Sequence, residues 1–280
     1  MTTAPDSLRA RLHFIELGSP DPQRLANFYA ELFDAPVIQE GEHFVLRDAD
    51  RAVVFREGPE KSLLGAGFQV ENPDVIAPLH ARLAAQGVEV RSLAPTSLYE
   101  PGAIGFHDPD GSWLQYGVAT AAPAPRTGLP GRLQHVVLGS TNAAQMIDFH
   151  NQVVGLRVSD RVVSEEGELR TAFLRTDDEH HSFAVFQTSN NRLDHHCYES
   201  SGWGDLKDWG DRLAARHIKV EWGPGRHGPG NNLFLFFYDP DGNFIEISAE
   251  LEVVPQGKPT GEWPHAERTL NSWGRGFLRT

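Results

Sequence analysis

The chain has 280 residues, 40% hydrophobic and 22% charged, a globular composition long enough for two domains. A formal net charge of −13 without any Lys/Arg run disfavours a phosphate-binding surface, so nucleic acid is not an expected partner. No apolar stretch reaches the roughly 18 residues of a membrane span. Met1–Asp6 lacks a basic region and an apolar core, which argues against a secretory signal. Cys197 is the single cysteine, so no internal disulfide can form, and a reduced, cytoplasmic setting is expected.

Taken in order, the chain reads as one unit written twice. Residues 11–19 are Arg-Leu-His-Phe-Ile-Glu-Leu-Gly-Ser, and residues 132–140 are Arg-Leu-Gln-His-Val-Val-Leu-Gly-Ser. Each is a strand running into a serine. An amphipathic helix follows: Leu25, Phe28, Tyr29, Leu32 and Phe33 in the first copy, Met146, Phe149, His150, Val153 and Val154 in the second. A second helix carries Ile76, Leu79 and Leu83, matched by Leu206, Trp209 and Leu213. Finally His107-Asp-Pro-Asp-Gly-Ser-Trp-Leu-Gln115 matches Tyr238-Asp-Pro-Asp-Gly-Asn-Phe-Ile-Glu246. In both, a Pro-Asp-Gly turn joins two strands.

Two diverged copies of one domain are the simplest account. The fold class is α+β: two tandem domains, each of two βαβββ modules forming a curved, barrel-like mixed sheet. The expected boundaries are 1–120, a Pro-rich linker at 121–130, a second domain at 131–252, and a tail at 253–280 that packs on the body through its aromatics.

Nine of the thirteen histidines lie beyond residue 130, so chemistry is expected in the second copy. Comparing the copies separates scaffold from site. His135 aligns with Phe14, His196 with Gly67, and Glu246 with Gln115. A carboxylate in the middle of an apolar strand needs a partner or a metal. Two imidazoles and one carboxylate, all absent from the sister copy, are the set of a 2-His-1-carboxylate Fe(II) site. His195 competes with His196, because neighbours on a strand point to opposite faces. With His196 facing the metal, Cys197 points away from it as a core thiol. Glu16 and Gln115 read as ordinary polar surface of the first copy.

On the segments Gly223-Pro-Gly-Arg-His-Gly-Pro-Gly-Asn-Asn232 and Asp239-Pro-Asp-Gly-Asn-Phe-Ile-Glu246, the sequence resembles the type I extradiol ring-cleavage dioxygenases of the vicinal oxygen chelate superfamily. The resemblance covers the chain from about residue 10 to the tail. It implies His135, His196 and Glu246 as ligands of Fe(II), with Mn(II) as the alternative. It implies His227 as acid/base and His181, with His180 as runner-up, as a hydrogen-bonding partner of substrate. It also implies a catechol-type substrate, O₂ as co-substrate, meta ring cleavage and a homo-oligomer. One position departs from the pattern: the usual tyrosine ten residues before the ligand glutamate is Phe236. Tyr238 and Tyr198 are the candidate substitutes, and with Phe236, His195 and Asn232 they form the candidate substrate-binding set. Arg226 and Arg216 read as surface arginines. The alternatives are another metal-dependent enzyme of the superfamily (a hydroquinone dioxygenase, isomerase or hydrolase) or a non-enzymatic aromatic-binding protein.

Overall fold

The computed structural model describes residues 8–279; the Met1–Asp6 stretch lies outside them. The first half contains two modules of strand, helix and three strands. One is β1 (Ala10–Ser19), α1 (Pro22–Phe33), β2 (Val37–Glu40), β3 (His43–Arg47) and β4 (Ala52–Glu57). The next is β5 (Ser62–Val70), α2 (Ile76–Ala85), β6 (Arg91–Ser92), β7 (Ile104–His107) and β8 (Trp113–Gly117). They form one eight-stranded sheet in the order β2-β3-β4-β1-β5-β8-β7-β6. The antiparallel β1/β5 pair is the seam between modules, and each module closes on a parallel pair, β1/β4 or β5/β8.

The second half repeats this plan. Its first module is β9 (Arg132–Ser140), α3 (Ala143–Asp148), β10 (Arg157–Val163), β11 (Leu169–Arg175) and β12 (Phe183–Gln187). Its second is β13 (Arg192–Ser200), α4 (Trp203–Ala215), β14 (Trp222–Arg226), β15 (Leu233–Tyr238) and β16 (Phe244–Ala249). β17 (Gly261–Pro264) and the short helix α5 (Glu267–Leu270) follow. The sheet order is β14-β15-β16-β13-β9-β12-β11-β10-β17. The ninth strand comes from the tail, which adds β17 parallel to β10.

The helices follow the apolar spacing. Leu25, Tyr29, Leu32 and Phe33 of α1 are buried, as are Leu79 and Leu83 of α2 and Leu206, Trp209 and Leu213 of α4. Asp21 caps α1 by accepting from the Arg24 amide, and Asn142 does the same for α3 through Gln145. The second copy's first helix differs from the expected single α-helix. After six residues it widens into a π-helical turn, Phe149–Val154, and packs His150 against Phe183 with ring centroids 4.2 Å apart.

The two halves share core. Phe33 of α1 packs on Tyr198 and Trp209 of the second half, at 4.6 and 5.6 Å. The Tyr29 hydroxyl donates to Asp239 Oδ2 at 3.0 Å. Asp239 in turn accepts from the Asp241 and Asn243 amides and holds the turn that delivers β16. The turn that positions Glu246 is therefore anchored from the other half of the chain. Among the described residues, no helix is long and apolar enough to cross a membrane.

Candidate metal centre

Register decides which side chains meet. Across the second sheet His135 lies opposite Cys197, Cys197 beside Glu246, Glu246 opposite Phe236, and Phe236 opposite Trp222. Paired residues on neighbouring strands share a face. This gives one row, His135-Cys197-Glu246-Phe236-Trp222, running across five strands on the concave side. His195 lies two residues before Cys197 and points the same way. His196 and Tyr198 point the other way.

The structure thereby turns His195, and not the expected ligand His196, toward Glu246. His195 Nε2 lies 3.4 Å from Glu246 Oε2, and His135 Nε2 lies 3.1 Å from the same oxygen. His196 turns into the contact between the halves, with Nε2 3.1 Å from the Tyr29 hydroxyl and no exposed surface. Burial lowers its pKa to about 3, so it is a neutral core histidine. The physical reason is a one-residue slip. The same bulge interrupts both seams (Leu63/Gly65 in β5/β1, Leu193/His195 in β13/β9), so Leu193 answers to Leu63 rather than Leu64, and Cys197, not His196, is the counterpart of Gly67. In the first half Phe14 fills that place: a Cβ on Gly67 would come within 2.1 Å of the Phe14 ring. Glu16 and Gln115 there hydrogen-bond to each other at 3.0 Å.

Cys197 is corrected with it. The thiol does not point away: one ligand-type atom each from Cys197, His135 and Glu246 lie within 4.8 Å of one another. Burial and the nearby Glu246 carboxylate push the thiol pKa up, which disfavours the thiolate a metal would need.

The donor set fits a divalent metal because every imidazole in the cavity is held in one orientation. The Nδ1–H of His135 donates to Gln134 Oε1, and that of His195 to Asp194 Oδ1 at 2.7 Å. The Nδ1–H of His227 donates to the Leu270 carbonyl. His180 Nε2 donates to Asp160 Oδ2 at 3.0 Å, which leaves His180 Nδ1 to accept from His181 Nδ1–H at 3.0 Å. For His135, His181, His195 and His227 the partner at Nδ1 fixes the ring so that Nε2 is the nitrogen turned toward the cavity, and a metal bound there would displace any proton it carries. His135, His181, His195 and His227 all line one cavity together with Glu246.

The electrostatics agree. Burial pushes the Glu246 carboxyl up, but hydrogen bonds from His135, His195 and His227 outweigh it and hold the group well below its usual range. Burial pushes the His135 pKa down, only partly offset by Glu246, and with the neighbouring imidazoles pushes His181 well down. His195 is the exception. Burial lowers it, but Asp194 and Glu246 raise it further, so its proton is the one a metal must displace.

The other candidates divide cleanly. Asn232 Nδ2 donates to Glu246 Oε1 at 3.0 Å, so it orients the carboxylate while lining the cavity. Phe236 faces the cavity and meets the His195 ring edge-on at 5.2 Å. Neither tyrosine takes the missing hydroxyl's place. Tyr198 is buried on the opposite face against Phe33, and Tyr238 is half-exposed, stacked on Phe244. Arg226 pairs with Glu250 and Arg216 with Asp34, both away from the cavity. Sequence reasoning missed Asp194, Gln134 and Trp222, and the tail residues Thr269, Leu270 and Arg279 that line the cavity. The adjacent pairs Gln134-His135 and Asp194-His195 were the available signal for the first two.

A family profile described as the glyoxalase/bleomycin resistance protein/dioxygenase superfamily matches residues 11–116 and 132–247. The chain is 28% identical over 246 residues to metapyrocatechase 2 of Cupriavidus necator, covering 79% of this chain and 74% of that protein. It is 27% identical over 252 residues to an iron-dependent extradiol dioxygenase of Rhodococcus jostii, covering 81% and 82%. Among solved structures, the Mn(II)-bound glyoxalase from Novosphingobium aromaticivorans is similar with a TM-score of 0.81 and 26% identity, over 97% of this chain and 92% of that one.

Proposed function

We propose that this chain, which belongs to the glyoxalase/bleomycin resistance protein/dioxygenase superfamily, is an extradiol dioxygenase that opens the ring of a catechol-type aromatic with O₂. His135, His195 and Glu246 would hold the metal. The observation that carries the reading is the convergence of four imidazole Nε2 atoms and one carboxylate on a single buried cavity. The names of the metapyrocatechase and the iron-dependent extradiol dioxygenase support the reaction class.

When bound, Fe(II), or Mn(II) in its place, would accept two vicinal oxygens and O₂ at its open positions and carry charge between them. The protein's own part is positioning and proton transfer. His181 and His227 each turn Nε2 toward the cavity, within reach of a substrate hydroxyl whose hydrogen bond or proton an imidazole there would accept. His227, with Nε2 3.7 Å from Glu246 Oε1 while the two ligand imidazoles meet Oε2, would return a proton to reacting oxygen. Phe173, Phe186, Trp222 and Phe236 wall the cavity, stack on an aromatic ring and exclude water. With Phe236 in place of a tyrosine, hydrogen bonds to substrate oxygens fall to the histidines alone. A second reading, a Mn(II)-dependent isomerase, draws on the likeness to the glyoxalase structure and on this missing hydroxyl.

Anaerobic binding tests the site. Metal-loaded protein is expected to bind catechol at least about tenfold more tightly than phenol, because only the diol chelates, and the preference should vanish on metal removal. Equal, tight binding of both by metal-stripped protein would instead indicate an aromatic-sequestering protein.

A further inference from the structure

Three of the four cavity imidazoles depend on the segment beyond Leu251 for their orientation. His227 donates to the Leu270 carbonyl. Trp263 Nε1 donates to Asp160 Oδ2 at 2.8 Å, the oxygen that also fixes His180 and through it His181. Arg279 reaches furthest. Its Nε and Nη2 donate to the two oxygens of Asp194, at 3.2 and 2.8 Å, while Asp194 Oδ1 accepts from His195 Nδ1.

We propose that Arg279 is a positioning residue of the metal centre, acting through Asp194 on His195, and that the C-terminal segment is a working part of the site. The inference rests on the reading that His195 binds metal. Asp194 is almost entirely buried, and among the described residues its carboxylate has only Arg279 and His195 as side-chain partners. A one-point contact to His195 leaves a carboxylate free to rotate, whereas a two-bond fork from a guanidinium fixes its plane. The guanidinium is itself held, lying over the Phe186 ring at 5.1 Å and the Trp222 ring at 5.7 Å. Trp222 in turn donates to the Arg275 carbonyl at 2.8 Å, so the segment is docked independently of the ion pair. That independence makes the effect of Arg279 separable from docking of the segment.

Co(II) serves as the probe, with affinity and visible spectrum read on wild type and Arg279→Gln. The expected result is a ten- to hundredfold loss of affinity, the usual consequence of removing a partner of a metal-bound histidine, and an altered ligand-field spectrum. A second readout needs no metal: the His195 Nδ1–H proton resonance of metal-free protein should be protected from solvent exchange in wild type and lost in the variant. If Arg279→Gln does not fold, Arg279→Lys, which keeps charge but loses the fork, is expected to shift both readouts in the same direction. Unchanged Co(II) affinity and an unchanged resonance would overturn the proposal. Absence of Co(II) binding in wild type would overturn the metal reading instead, and the resonance alone would then decide the role of Arg279.

Discussion

Replacing His195 by alanine is expected to abolish tight binding of divalent metal, while replacing its neighbour His196 by alanine is expected to leave it intact. The two side chains are consecutive yet face opposite sides of β13. His195 shares the Glu246 carboxylate with His135, and its Nε2 is the free nitrogen of an imidazole already bonded to Asp194. Losing one of three protein ligands should weaken binding by more than the ten- to hundredfold typical of an outer partner. His196 touches Tyr29 and Tyr198 instead, so its loss falls on stability: about 2 kcal/mol or more for an emptied buried site and a tyrosine hydroxyl left with one partner fewer. Isothermal titration with Mn(II) or Co(II), paired with thermal melts, separates the outcomes. Metal loss in His196→Ala with retention in His195→Ala would reverse the assignment.

His227→Asn should be the most damaging change that spares the metal. The residue stacks on Phe234 with centroids 3.9 Å apart and has Nδ1 tied to Leu270, so its Nε2 points at one place. It lies 3.7 Å from Glu246 Oε1, the oxygen that Asn232 also holds, whereas His135 and His195 meet Oε2. A proton donor or acceptor at that point contributes roughly 10²–10⁴-fold to rate. Single-turnover kinetics should therefore slow by at least about a hundredfold with metal stoichiometry unchanged. A wild-type single-turnover rate would remove His227 from the chemistry.

Much of this architecture is legible in the sequence because it is repeated. Leu25, Tyr29 and Phe33 mark α1 by spacing alone, and the two Asp-Pro-Asp-Gly turns fix the last hairpin of each half. The comparison also singles out His135 and Glu246, since Phe14 and Gln115 occupy their places in the first half. The failure at His196 is of a different kind. Side chains on a strand alternate with period two, so a one-residue error in alignment moves every residue to the other face. Matching Leu193 to Leu64, when its counterpart in the β1/β5 seam is Leu63, was enough. That shift put His196 in the place of His195, turned Cys197 away from the cavity and brought Tyr198 among the candidates to line it. The tail was illegible for another reason. It carries little periodicity, and its contribution comes through one carbonyl (Leu270), one indole (Trp263) and one guanidinium (Arg279), none of which forms a pattern.

The account is tested most directly by loading the protein with Fe(II) anaerobically, adding catechol, and then admitting O₂ while uptake and near-visible absorbance are followed together. Consumption of one O₂ per ring opened, with a yellow chromophore appearing in step and both signals absent in His195→Ala, is the expected result. Catechol bound to the loaded protein with neither uptake nor colour would contradict extradiol cleavage.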